Sequence, residues 1–163
     1  MIAIAKGSDI LRILDRVRSA PDRYAAFFIC SPYIDESMRK RLIEIMGVAA
    51  HADCRVWVIT SPQGAELLLT EIPVGSARLR KYIFSKTGLH AKAYMAIGHV
   101  PASSEALFGS ANLTVAGVRE NVELVVKATG SSETGSRMIR EIRHFLERLA
   151  VAEPHASRHR ART

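Results

Sequence analysis

The chain alternates between stretches of helical and of strand-like hydrophobic period. Ser8 is placed to cap a helix whose apolar positions Ile10, Leu11, Ile13, Leu14 and Val17 share one face. The unbroken apolar run from Tyr24 to Ser31 predicts a central strand, ended by Pro32. Met38, Leu42, Ile45, Met46 and Ala49 recur at helical spacing, and Cys54 to Thr60 reads as the next buried strand. Ser61-Pro62-Gln63-Gly64 then opens a short helix through Glu66 to Leu69. The second half carries strands closer together: Arg78 to Phe84, Leu89 to Ile97, Ala106 to Ser110 and Glu120 to Ala128, with a brief helix from Ala111 to Gly117. A last amphipathic helix carries Met138, Ile142, Phe145 and Leu149, interspersed with Arg137, Arg140, Arg143 and Arg148.

Helix–strand alternation early and clustered strands late predict an α/β domain, a mixed β-sheet flanked by helices on both faces. The expected domain spans residues 1–153 and closes at Pro154. Residues 154–163 form a basic tail with no acid and no large apolar side chain, expected to be disordered. A length of 163 residues suits one domain. No apolar run approaches the roughly 18 residues of a membrane span. The first fifteen residues lack a basic n-region, so no signal peptide is expected. Cys30 and Cys54 lie inside apolar runs and read as buried free thiols of a cytoplasmic protein; neither has metal-site spacing. A net charge of +7 leans towards polyanions, nucleic acid before anionic lipid.

The chemistry concentrates between Leu89 and Val126. On a strand from Leu89 to Ile97, period 2 places His90, Lys92 and Tyr94 on one face. Ser110 and Asn112 follow Gly109 at an expected helix start, a setting that favours anions. Asn121 and Glu123 share one face of the next strand, with Val122, Leu124 and Val126 packing on the other. Glu123 is then a natural partner for the imidazole of His90. Together these groups suit phosphoryl transfer without a metal or other cofactor. His90 attacks phosphorus, Lys92 and Asn112 hold the nonbridging oxygens, Ser110 adds a hydrogen bond and Glu123 orients the imidazole. A second histidine to protonate the leaving oxygen is missing from the set. Taken singly, each group has an ordinary reading: His90 and Lys92 as a surface pair, Ser110 as a cap, Asn121 at a strand edge, Tyr94 in packing. His51, His99 and His144 fit solvated loop or helix positions, and Arg137, Arg140 and Arg143 either a solvated helix face or phosphate contacts.

His90-Ala-Lys92, Gly109-Ser110-Ala111-Asn112 and Asn121-Val122-Glu123 resemble the HKD signature of the phospholipase D superfamily. Ile29 to Asp35 and Val56 to Thr60 resemble that family's early strands, so the resemblance spans roughly Tyr24 to Ala128. It implies a phospholipase D-like fold. The single motif implies the family's nuclease-like branch, in which two subunits build one site: a homodimer acting on nucleic acid, DNA before RNA, with no membrane partner. One departure is that Ile97 stands where the family pattern often has Asp, five residues after the lysine. The competing functions are a phospholipid phosphodiesterase or phosphatidyl transferase using the same site, and a nucleic-acid-binding module whose site has decayed. Only 6% aromatics and no apolar anchor weigh against a lipid substrate; Ile97 is the feature that favours decay.

Overall fold

The computed structural model describes residues 1–73 and 75–151. Its centre is a seven-stranded mixed sheet in the order β1-β7-β6-β5-β2-β3-β4. The strands are β1 (Ile2–Ala5), β2 (Tyr24–Cys30), β3 (Arg55–Thr60), β4 (Ile83–Ser85), β5 (Ala93–Gly98), β6 (Glu105–Gly109) and β7 (Val125–Thr129). β2, β3 and β4 run parallel; every other pairing is antiparallel.

Alternation along the strands splits the core in two. Phe27, Ile29, Val58, Tyr94, Ala96, Leu107 and Val125 face α1 (Gly7–Ser19), α2 (Glu36–His51) and α3 (Pro62–Glu71). Phe28, Cys30, Ile59, Met95, Ala106 and Ala128 face Ile139, Leu146 and Ala150 of α5 (Glu133–Val151). Helices therefore cover both faces, as the alternation of periods predicts. The apolar stripes of α1 and α2 named from spacing are the buried ones, except that Leu11 is partly buried. Asp35 caps α2 by accepting from the Met38 N–H at 2.9 Å, and Ser61 caps α3 by accepting from Gly64 at 3.2 Å.

Five expectations need correcting. Ser8 lies inside α1, whose N-cap is Lys6. The strand β1 was not foreseen. It is an edge strand with three of its four residues exposed, so no buried face marks it, and only pairing with β7 reveals it. The strand expected from Arg78 to Phe84 begins as a helical turn, α4 (Ala77–Arg80), and becomes strand only at Ile83. Arg80 reaches back from that turn to the Leu69 and Ile72 carbonyls at the end of α3, both at 2.8 Å. The strands expected from Leu89 and from Glu120 start late, at Ala93 and Val125, because their partners run out: Cys30 pairs with Ala93, Gly109 with Val125, and β2 and β6 end there. The brief helix expected at Ala111 to Gly117 is displaced to a π-helical turn, Ala116–Glu120. Pro154 and the basic tail lie outside the described residues.

Candidate active site

The registers fix one end of the sheet. The ends of β2, β3, β4 and β6 and the starts of β5 and β7 all lie there. Three adjacent strands, β5, β6 and β7, present the candidate residues at that end: His90 and Lys92 lead into β5, Ser110 and Asn112 leave β6, and Asn121 and Glu123 lead into β7. Residues separated by as many as 33 positions in sequence thus converge because the ladder brings their strands side by side.

Backbone bonds hold the three segments together past the strand ends. The Gly109 N–H donates to the Lys92 carbonyl at 3.2 Å, and the Ser110 N–H donates to the Leu124 carbonyl at 3.0 Å. Ser110 Oγ accepts from the Leu124 N–H at 3.0 Å and donates to Glu123 Oε2. Asn121 Nδ2 donates to Glu123 Oε1 at 3.3 Å. Gly109 is required for this closeness: a Cβ there would lie 2.0 Å from the Leu124 carbonyl oxygen. Ser110, Asn121 and Glu123 form one hydrogen-bonded cluster.

His90 is exposed and Lys92 half-buried. Lys92 Nζ donates to the His90 carbonyl at 2.7 Å, which draws the ammonium back along its own segment. The pairing of Glu123 with the His90 imidazole, expected from strand parity, is not formed; the Glu123 carboxylate accepts from Ser110 and Asn121 instead. Parity fails because neither residue lies inside a strand. The same fact corrects the expectation that Val122 and Leu124 pack inward: Val122 is fully exposed and Leu124 is 62% exposed. Tyr94, within β5, is buried in the core with its hydroxyl on the Ala111 carbonyl at 2.9 Å, so it supports the β6 exit from below. Burial raises its phenol well above the usual range. Burial likewise pushes the Cys30 thiol up to about 12, partly opposed by the Lys92 charge.

Asn112 is half-buried, and its Oδ1 is buried with no hydrogen-bond partner among the described residues. Buried amide oxygens are ordinarily paired, so this one has unused capacity to accept a bond. The loop after β2 was missed as part of the site. Fully buried Ser31 accepts from the Leu113 N–H at 2.9 Å; Ile34 bridges Leu113; Asp35 Oδ2 accepts from the Val115 N–H. These bonds fasten the segment carrying Asn112 to the loop after β2. A serine and a proline closing an apolar run were the available signal, but they read equally as a strand end. Ile97 stands at the other half of β5, four residues from Ala93, about 13 Å at strand rise from the end that carries the candidate residues. It packs on the α5 side of the sheet. Among the described residues no three His, Cys, Asp or Glu side chains are grouped as ligands for a metal. No described helix is long and apolar enough to cross a membrane.

A mixed sheet between helices, with its polar cluster gathered at adjacent strand ends, is the architecture of the phospholipase D superfamily, and the chain belongs to it. Residues 13–149 match the family described as cardiolipin synthase, PLD-like domain. Among solved structures, NucT from Helicobacter pylori superposes with a TM-score of 0.58 at 15% identity, over 91% of this chain and 93% of that one. Nuc from Salmonella typhimurium, a phospholipase D family member, superposes with a TM-score of 0.51 at 14% identity, over 91% and 95%. A polyphosphate kinase from Porphyromonas gingivalis superposes with a TM-score of 0.59 at 15% identity, over 97% of this chain and 27% of that one. No curated protein sequence matches the chain.

Proposed function

We propose that the protein is a metal-independent phosphodiesterase, an endonuclease that cleaves nucleic-acid phosphodiester bonds through a phosphohistidine at a site shared by two subunits. The observation that carries this reading is the convergence of His90, Lys92, Ser110, Asn112 and Glu123 on three adjacent strand ends of a phospholipase D-like domain. Two of the superposed structures, NucT and Nuc, are consistent with it by name.

In the proposed reaction an imidazole nitrogen of His90 attacks phosphorus, a P–N bond forms, and the bond from phosphorus to the leaving strand's oxygen breaks. Water then attacks phosphorus, the P–N bond breaks, and the histidine is returned. Charge on the nonbridging oxygens is held by the Lys92 ammonium and the amide N–H groups of Asn112. Ser110 and Glu123, already bonded to each other, form a polar wall that fixes the β6 and β7 approaches. The leaving oxygen needs a proton, and His90 of a second subunit is the group of matching kind.

The net charge of +7 supports a polyanionic substrate, and the resemblance to the family's nuclease-like branch puts DNA before RNA. The test is to incubate purified protein with labelled DNA, labelled RNA, phospholipid vesicles and a chromogenic phosphodiester, each with and without EDTA. Cleavage of nucleic acid that survives chelation is expected. Cleavage lost in EDTA and restored by magnesium would sink the mechanism, turnover of vesicles alone would replace the substrate, and binding without any cleavage would indicate a decayed site.

A further inference from the structure

Tyr33 is a large aromatic residue left 64% exposed on the loop that follows β2. Its backbone, by contrast, is held from both sides. Ser31 Oγ donates to the Tyr33 carbonyl at 2.8 Å while accepting from the Leu113 N–H at 2.9 Å. Pro32 fixes the dihedral before it. Ile34 bridges Leu113, and the Asp35 N–H donates to the Leu113 carbonyl at 3.3 Å. Asp35 then caps α2 with one carboxylate oxygen and accepts from the Val115 N–H with the other. The mount is rigid and the ring is bare.

The mount is also part of the catalytic end. Leu113, to which the loop is pinned, is the neighbour of Asn112. On the other side β2 pairs with β5, with Cys30 opposite Ala93, so the chain leaving β2 starts beside Lys92. An exposed aromatic residue is therefore carried on a loop fastened beside both segments proposed to hold the scissile phosphate.

We propose that Tyr33 stacks on a nucleobase next to the scissile phosphate and so selects strands with an unpaired base there. This rests on the nuclease reading. An aromatic ring with two side-chain torsions loses little entropy on stacking, and every base offers a π-face. In a duplex those faces are already stacked on neighbouring pairs, so the ring meets a free one only on a single strand, at an end or at a bulge. Lys92 gives the phosphate its charge contact, and Tyr33 gives the adjoining base its stacking contact; neither reads sequence.

The test measures kcat/KM of the full-length protein on a labelled single-stranded oligodeoxynucleotide and on copies with one abasic residue walked along it. Wild type, Tyr33→Ala and Tyr33→Phe are compared, with thermal melting and sedimentation of each. Expected are a loss of about 5- to 100-fold for Tyr33→Ala, carried mainly by KM, and near-wild-type values for Tyr33→Phe. One abasic position should lower wild type by a similar factor and cost Tyr33→Ala nothing further. Losses that add instead, equal damage from Tyr33→Phe, or a loss explained by dissociation of Tyr33→Ala into monomers would overturn the stacking role; the last would assign the ring to a subunit interface. Wild-type cleavage unchanged by Tyr33→Ala removes this proposal alone. A wild-type protein that neither binds nor cuts any oligonucleotide removes the nuclease reading with it.

Discussion

His90, the proposed nucleophile, is held by few contacts of its own. It is exposed, and its backbone carbonyl accepts from Lys92 Nζ. Removing the imidazole should therefore leave stability within about 0.5 kcal/mol of wild type, as for surface positions away from special features. His90→Ala is expected to retain the wild-type melting temperature and salt-dependent nucleic-acid binding while losing turnover; cleavage near the wild-type rate would show that another group attacks phosphorus. Ile97 is the opposite case. It is partly buried among apolar side chains of the α5 face, about 13 Å along β5 from the end that carries the candidate residues. Its open side is a cavity of about 270 Å³ that Arg140 and Arg143 also line. Ile97→Asp should lower the melting temperature by the cost of a carboxylate on an apolar face, limited by those guanidinium groups. Its kcat should not rise. A large gain in rate from that substitution would mark the wild-type site as decayed, and is checked by single-turnover cleavage beside a thermal melt.

Elements differ in how much of their fate is written locally. α1, α2, β2 and β3 were legible because each buries a face or a whole run, and burial imprints its period on the sequence. β1 carries no such imprint, and neither do the segments entering β5 and β7, where the ladder stops when the partner strand ends. The residue types and order of the candidate site could be read without the fold, but the facing of His90, Val122 and Glu123 could not, since it was inferred from strands that do not extend so far. The turn Ala116–Glu120 is another tertiary product. Gly117 packs so closely that a Cβ would lie 2.5 Å from the Asn112 carbonyl oxygen. Its N–H donates to Thr114 Oγ1 at 3.0 Å, which closes the same segment. Gly117→Ala must push backbone against backbone, so a loss of about 1–3 kcal/mol is expected. If this turn also sets where the Asn112 amide sits, kcat should fall in folded Gly117→Ala well below its melting temperature. Wild-type kcat in that variant would separate the turn from the site.

At the scale of the whole molecule the question is where the proton for the leaving oxygen comes from. An alkoxide is a poor leaving group, and general acid catalysis supplies on the order of 10²–10⁴-fold. Of the other described histidines, His51 closes α2 before β3 begins and His99 follows the far end of β5, both away from the candidate residues, while His144 sits on α5 with Nδ1 3.8 Å from Glu147. Val122 and Leu124, meanwhile, are bare apolar side chains on either side of Glu123. A two-fold axis beside them would cover both copies of this patch and bring one His90 from each subunit to opposite sides of one phosphate. A charge placed in such a patch should separate the subunits, so Val122→Glu is expected to sediment as a monomer and to lose cleavage together with dimer. The sharper measurement uses a mixed dimer of wild type and His90→Ala, isolated through two different tags. Independent sites give about half of wild-type activity, because one intact subunit still turns over. A shared site gives almost none, because either the nucleophile or its acid is missing from every phosphate-binding position. Half activity in the mixed dimer, or full activity from Val122→Glu as a strict monomer, would place a complete set of catalytic groups within one chain.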